Sequence, residues 1–67
     1  MNPFAPLPTK PESEWTAREH QNAANFYYYE RMGATEENAG PNYKPLWSMM
    51  DAAWRRHTRY AQALRAH

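Results

Sequence analysis

The chain has 67 residues, a net charge of +1 at pH 7 and no cysteine, so it forms at most one small domain without a disulfide framework or a thiolate metal site. A chain of this size without disulfides or a structural metal usually depends on good helix packing, oligomerisation or a larger partner for its stability. Residues 1–40 carry three basic and six acidic side chains, whereas residues 41–67 carry five and one. The two halves are therefore expected to attract each other.

No apolar run in the sequence approaches the roughly 20 residues that span a bilayer. The first residues also lack the charged start and the apolar stretch that define a signal peptide. The sequence therefore predicts no contact with a membrane, and the lack of cysteine fits a cytoplasmic location.

Residues 1–10 are predicted to form an extended, proline-rich arm. Four of the six prolines in the chain lie at or before position 11, and proline fixes φ and disfavours helix in the residue before it. Phe4 and Leu7 are the main apolar side chains of this arm. Two interpretations follow: a loosely attached tail, or a segment that lies across a groove and is held there by Phe4 and Leu7.

Residues 11–67 are predicted to be a helical hairpin, whose first helix covers about residues 11–32. Thr9 and Glu12 have the spacing of a capping box, in which each side chain accepts a hydrogen bond from a free N–H group at the helix start. No helix breaker follows until Gly33, a residue typical of the position after a helix end.

Residues 33–42 are predicted to be a connector. Thr35 could cap a single helical turn within it, and Gly40-Pro41 would end that turn. Asn42 is the expected N-cap of a second helix, which should run from about residue 43 to residue 65.

Four aromatic residues occur in a row, at positions 26–29. A lone strand would leave its backbone donors unpaired, so helix is favoured over strand. At about 100° per residue, Trp15, Phe26 and Tyr29 then share one face, which is expected to join the core. Tyr28 is expected to lie almost opposite, with Tyr27 on the flank, so that neither reaches the core.

The second predicted helix has a wide apolar stripe, which is typical of a helix that faces a core. The stripe consists of Leu46, Met50, Ala53, His57, Tyr60 and Leu64, with Trp47, Trp54 and Ala61 beside them. It offers more apolar surface than the first helix can cover. The predicted fold is therefore all-α: an antiparallel two-helix αα-hairpin with an extended arm, which a second chain would complete as a four-helix bundle.

Catalytic and cofactor chemistry have little support in the sequence. Ser13 and Ser48 lie outside any nucleophile motif, and no pair of histidines has metal-ligand spacing. His57 on the apolar stripe is interpreted as a core-edge histidine with its polar nitrogen satisfied rather than as an axial ligand. The sequence predicts no enzyme, no metal site and no cofactor.

One candidate surface for a partner consists of Tyr27, Tyr28, Arg31 and Ala24 on the first helix. Tyrosine and arginine are enriched among the residues that dominate protein–protein binding, and alanine permits close approach. The preferred hypothesis is a small non-catalytic helical protein that binds another protein or a second copy of itself. It would act as an inhibitor, an adaptor or an accessory subunit, a class that includes phage-encoded proteins.

A second candidate surface is the arginine face of the second helix, formed by Arg55, Arg56 and Arg59. Arginines on one helix face bind phosphates, so the alternative hypothesis is a nucleic-acid-binding hairpin. The net charge of +1 is far below the usual electrostatic footprint of such proteins, which makes nucleic acid the less favoured partner.

Overall fold

The computed structural model describes residues 2–66. It contains three α-helices: α1 (Ala17–Met32), α2 (Glu36–Ala39) and α3 (Tyr43–Arg65), with a short 3-10 turn at Glu12–Glu14 before α1. The described residues form no strand, so the predicted all-α class is confirmed. Within the same residues, every helix is either too short or too polar to cross a membrane.

The start of α1 differs from the prediction. The capping box is formed by Thr16 and Glu19 rather than by Thr9 and Glu12: Thr16 Oγ1 accepts from the Glu19 N–H at 3.2 Å, and Glu19 Oε1 accepts from the Thr16 N–H at 2.8 Å. Both pairs have the same spacing. The backbone of Trp15 is extended, and its Nε1 donates to the Lys10 carbonyl at 2.9 Å, which separates the 3-10 turn from α1.

The Thr16→Ala variant is expected to lose about 1 kcal/mol of unfolding free energy, because it leaves an N–H group at the start of α1 without its partner. Thr9→Ala removes the hydroxyl from the capping position that the sequence favoured, and it is expected to change stability by less than about 0.5 kcal/mol. Urea unfolding followed by circular dichroism measures both. Equal losses in the two variants would contradict the placement of the cap.

The other helix ends mostly follow the sequence. Thr35 Oγ1 accepts from the Asn38 N–H at 3.3 Å, and Gly40, at φ 81°, ends α2 in a conformation that favours glycine. Asn42 occupies the N-cap position of α3 but makes no side-chain capping bond. Gly33 follows α1 with φ −83°, so it is not in the left-handed conformation of a glycine cap.

Small residues and histidines form the contact between α1 and α3. The buried residues of the two helices are His20, Ala23, Ala24, His57 and Ala61. The polar contacts join the beginning of α1 to the end of α3, through Gln21 and Arg65, and the end of α1 to the first half of α3, through Arg31 and Asp51. Alanine lets the two backbones approach closely, and most of the buried residues in this contact are therefore small.

The predicted division of the four aromatic rings is wrong, because the side of α1 that meets α3 carries Tyr27 and Tyr28 rather than Phe26 and Tyr29. The Tyr28 ring, although exposed, lies 5.9 Å from that of Trp54, and Phe26 is only partly buried. Tyr27 lies against α3, where its ring stacks on His57 with a centroid distance of 5.6 Å. Tyr29 is 39% exposed and meets the ring of Phe4 edge-on at 6.4 Å. The prediction grouped Phe26 and Tyr29 with Trp15 on one helical face, but Trp15 precedes α1, so its position does not report the core face of the helix.

The N-terminal residues contact α1. The Asn2 Nδ2 atom donates to the Phe26 carbonyl at 3.1 Å and to Glu30 Oε1 at 3.0 Å. Further along, Asn22 Nδ2 donates to the Ala5 carbonyl at 3.1 Å. These bonds hold residues 2–5 on the side of α1 that carries Phe26.

The core of the described residues is small. Apart from Trp15, the buried hydrophobic residues are all alanines. Much of the apolar stripe predicted to be core is at the surface instead. The exposed large hydrophobic residues are Phe4, Tyr28, Tyr29, Met32, Leu46, Trp47, Met49, Tyr60 and Leu64. The chain therefore exposes more large apolar side chains than it buries.

Candidate protein-binding surface

Three aromatic rings surround one arginine where the end of α1 meets α3. The guanidinium carbon of Arg31 lies 4.7 Å from the ring centre of Tyr28, 4.9 Å from that of Trp54 and 5.3 Å from that of Trp47. The Tyr28 and Trp54 rings are themselves 5.9 Å apart. We call Tyr28, Arg31, Trp47 and Trp54 the aromatic cluster. Each ring gains a cation–π contact with the same cation.

Asp51 holds this arginine in place. Arg31 Nη1 donates to Asp51 Oδ1, and Arg55 Nε donates to Asp51 Oδ2 at 2.9 Å. The side chains of Arg31 and Asp51 are only 17% and 14% exposed, so water screens their attraction less than it screens a surface pair. The Arg31 guanidinium is therefore held in one position by contacts within the chain.

The aromatic cluster remains open to solvent on its outer side. Tyr28 is 43% exposed and Trp47 is 42% exposed, and Met32, one helical turn after Tyr28, is 64% exposed. Tyrosine, tryptophan and arginine dominate protein–protein hot spots because they bury large rigid surfaces and keep a polar tip. Rings already held by an arginine lose little rotamer freedom when a partner covers them.

The structure separates the residues of the predicted Tyr27/Tyr28/Arg31/Ala24 surface. Tyr28 and Arg31 lie together, as their spacing on α1 requires. Tyr27 stacks on His57 and Ala24 is fully buried, so both face α3 instead of solvent. Trp47, Trp54 and Asp51 also belong to the site, although the sequence did not indicate them as site residues. The seven-residue spacing of the two tryptophans was visible but was assigned to the core.

Removing Asp51 is expected to destabilise the chain, because Arg31 is then left partly buried without its counter-charge. The Asp51→Ala variant should lose about 1–2 kcal/mol of unfolding free energy. Arg55→Ala removes only the more exposed of the two arginines and should cost less than about 0.5 kcal/mol. Urea titrations of the two variants compare these losses directly, and similar values for both would contradict the clamping role of Asp51.

The arginine face is partly neutralised within the chain. Arg55 is paired with Asp51, and Arg56 Nη2 donates to Glu12 Oε2 at 3.1 Å. Arg59 makes no ion pair with residues 2–66. All three predicted arginines border one shallow concavity together with Ala52 and Tyr60. Of their three charges, only that of Arg59 has no ion-pair partner in the described part of the chain.

Two buried histidines meet between α1 and α3. His20 Nδ1 and His57 Nδ1 are 2.9 Å apart, and Arg56 Nη2 lies 3.3 Å from His57 Nε2. Because an arginine only donates, His57 Nε2 accepts, and neutral His57 then carries its proton on Nδ1. His20 Nδ1 accepts the hydrogen bond from this Nδ1–H group, which places the proton of neutral His20 on Nε2. Both nitrogens of His57 are therefore satisfied, as predicted.

Burial lowers the pKa of His57 below its ordinary value of 6.5; Arg56 and His20 lower it further, and the Glu12 carboxylate opposes them. On acidification the unfolded chain therefore takes up a proton at this residue before the folded chain does. The contribution of neutral His57 to the free energy of unfolding is complete above pH 6.5. It is lost as the pH falls from 6.5 through the lower pKa of this residue in the folded chain.

The urea midpoint is expected to decrease as the pH is lowered from 7.5 to 5.5. For this one proton the free energy of unfolding should change by no more than about 1.4 kcal/mol per pH unit. The His57→Phe variant keeps a ring at this position without a titrating group, so its decrease should be smaller. An equal decrease in both proteins would show that another group causes it.

Within residues 2–66, no group of three or more histidine, aspartate or glutamate side chains is placed to hold a metal ion. Comparisons of the chain with protein-family models, curated proteins and solved structures gave no match. The surfaces and the buried histidine pair are therefore the basis for a functional proposal.

Proposed function

We propose that this chain is a small, non-catalytic helical protein that binds another protein through the aromatic cluster. It would serve in the cytoplasm as an inhibitor, an adaptor or an accessory subunit. The observation that carries the proposal is a set of half-exposed rings held around a clamped arginine. Such a set has both the composition and the rigidity of a protein-binding hot spot.

The small core supports the same proposal. Monomeric proteins rarely leave many large apolar side chains together at the surface without a binding role. Here alanines fill most of the buried apolar positions, while Trp47 of the aromatic cluster and Met32, one helical turn after Tyr28, are exposed. We propose that α1 and α3 form an antiparallel αα-hairpin with a docked N-terminal arm, and that a partner covers its exposed side.

The partner is proposed to be a different protein or a second copy of this chain. The second case would give a four-helix bundle from two hairpins. Light scattering at micromolar concentration distinguishes the two, because only self-association doubles the mass of the purified chain.

Recovery of the tagged chain from its own host tests the proposal. We expect one protein to co-purify in fixed ratio and to remain bound after nuclease treatment and at about 200 mM salt, conditions that remove nucleic-acid bridges. A cooperatively melting monomer that recovers no protein would overturn the proposal.

Nucleic-acid binding is the second candidate, favoured by the unpaired Arg59 beside the aromatic ring of Tyr60. Binding to phosphates weakens steeply between about 50 and 200 mM salt, and Arg59→Glu should abolish it. The absence of any shift with DNA or RNA at low salt would exclude this candidate.

A further inference from the structure

We propose that the pocket between the 3-10 turn and the end of α3 binds a small, uncharged aromatic compound that carries a carbonyl oxygen. The pocket has a volume of ≈ 440 Å³, within the range of small-molecule sites. It lies at the end of the molecule away from the aromatic cluster. Its main lining residues are Glu12, Trp15, His20, Tyr60, Ala63 and Leu64.

His20 supplies a hydrogen-bond donor inside this pocket. The residue is 3% exposed, and its Nδ1 is engaged with His57. Its Nε2 has no hydrogen-bond partner among residues 2–66, and no fully buried side-chain nitrogen or oxygen in that part of the chain lacks a partner. Nε2 therefore retains some contact with solvent, and His20 is one of the residues that line the pocket.

The histidine pair sets the chemistry of that nitrogen. Because His57 donates to His20 Nδ1, neutral His20 carries its proton on Nε2 and offers it to the pocket. A ligand that brings an acceptor oxygen satisfies this nearly buried donor, whereas a hydrocarbon leaves it without a partner, at a cost in affinity.

The walls select the rest of the ligand. The rings of Trp15 and Tyr60 flank the His20 ring at centroid distances of 5.1 and 5.0 Å, so a flat aromatic group has faces to pack on. The described lining residues include one carboxylate, Glu12, and no lysine or arginine, so the pocket offers an anion no cationic partner. A cation that carries no acceptor would make no hydrogen bond to the His20 donor. An uncharged aromatic carbonyl compound meets all these conditions.

Acetophenone and benzene are suitable probes, since both carry the aromatic ring and only acetophenone carries the acceptor. Titration of the ¹⁵N-labelled chain should give saturable shifts at the Trp15 and Ala63 amides, with a dissociation constant on the order of 1 mM for acetophenone. Benzene should bind at least about fivefold more weakly. Absence of saturable shifts at these amides would overturn the proposal, as would equal affinity for the two probes.

Two substitutions on α3 form a matched pair for this site. Leu64→Trp places a larger side chain at the pocket wall and should weaken acetophenone binding at least about fivefold. Leu46→Trp alters a similarly exposed leucine outside the pocket and should leave acetophenone binding unchanged. His20→Phe should abolish the preference for acetophenone over benzene. If His20→Phe does not fold, the acetophenone affinities of the two leucine variants still test the proposal. Equal effects of Leu64→Trp and Leu46→Trp on this affinity would overturn it.

Discussion

The His57→Ala variant is expected to lose about 3 kcal/mol of unfolding free energy. His57 is the largest fully buried side chain among the described residues, and its ring lies 5.2 Å from both the Trp15 and His20 rings and 5.6 Å from that of Tyr27. Its removal leaves a cavity between α1 and α3. It also leaves the Nδ1 acceptor of the buried His20 without a donor.

This loss is large for the protein. A chain of this size is expected to be stable by only about 3–10 kcal/mol, so His57→Ala should remove about one third or more of its unfolding free energy. Urea unfolding followed by circular dichroism gives the value, and Arg59→Ala, two positions along α3 on the exposed side, is the control. A loss below about 1 kcal/mol would contradict a central role for His57 in the packing of α1 against α3.

The sequence predicted the helices better than their packing. The bounds of α3 and the single turn capped by Thr35 lie where they were predicted, although Asn42 makes no side-chain capping bond. The start of α1 was misplaced because two segments carry the same capping-box spacing. Glu12, the acidic member of the first, is paired with Arg56 of α3 instead, a contact that the local sequence does not indicate.

The core face of α1 was missed for a different reason. Hydrophobicity favours Phe26 and Tyr29 as core residues, but His20, Ala23 and Ala24 are the residues buried on this helix. The helices approach through alanines, and the histidine becomes a core residue only because His57 lies opposite with a matching nitrogen. A pairing between residues 37 positions apart leaves no pattern in a single sequence.

The candidate site was predicted in part. Tyr28 and Arg31 are close on one helix, so their spacing was enough to place them together. Trp47, Trp54 and Asp51 join them from α3, and this contact depends on how the two helices are rotated against each other. That rotation follows from the buried histidines and alanines, which the hydrophobic pattern does not indicate.

Tyr28→Ala is expected to weaken partner binding by about 10- to 100-fold, or roughly 1–3 kcal/mol. The substitution removes an exposed ring and one of the three faces that hold Arg31 in the aromatic cluster. The neighbouring Tyr29 is exposed to a similar extent but packs on Phe4. Tyr29→Ala is therefore a matched control that removes the same side chain from outside the cluster.

The affinity of the recovered partner for these two variants is the most direct test of the proposed binding role. Calorimetric titration should give a dissociation constant at least about tenfold higher for Tyr28→Ala than for Tyr29→Ala, with the latter close to that of the unsubstituted chain. Equal dissociation constants for the two variants, or a larger loss for Tyr29→Ala, would show that the partner does not bind at the aromatic cluster.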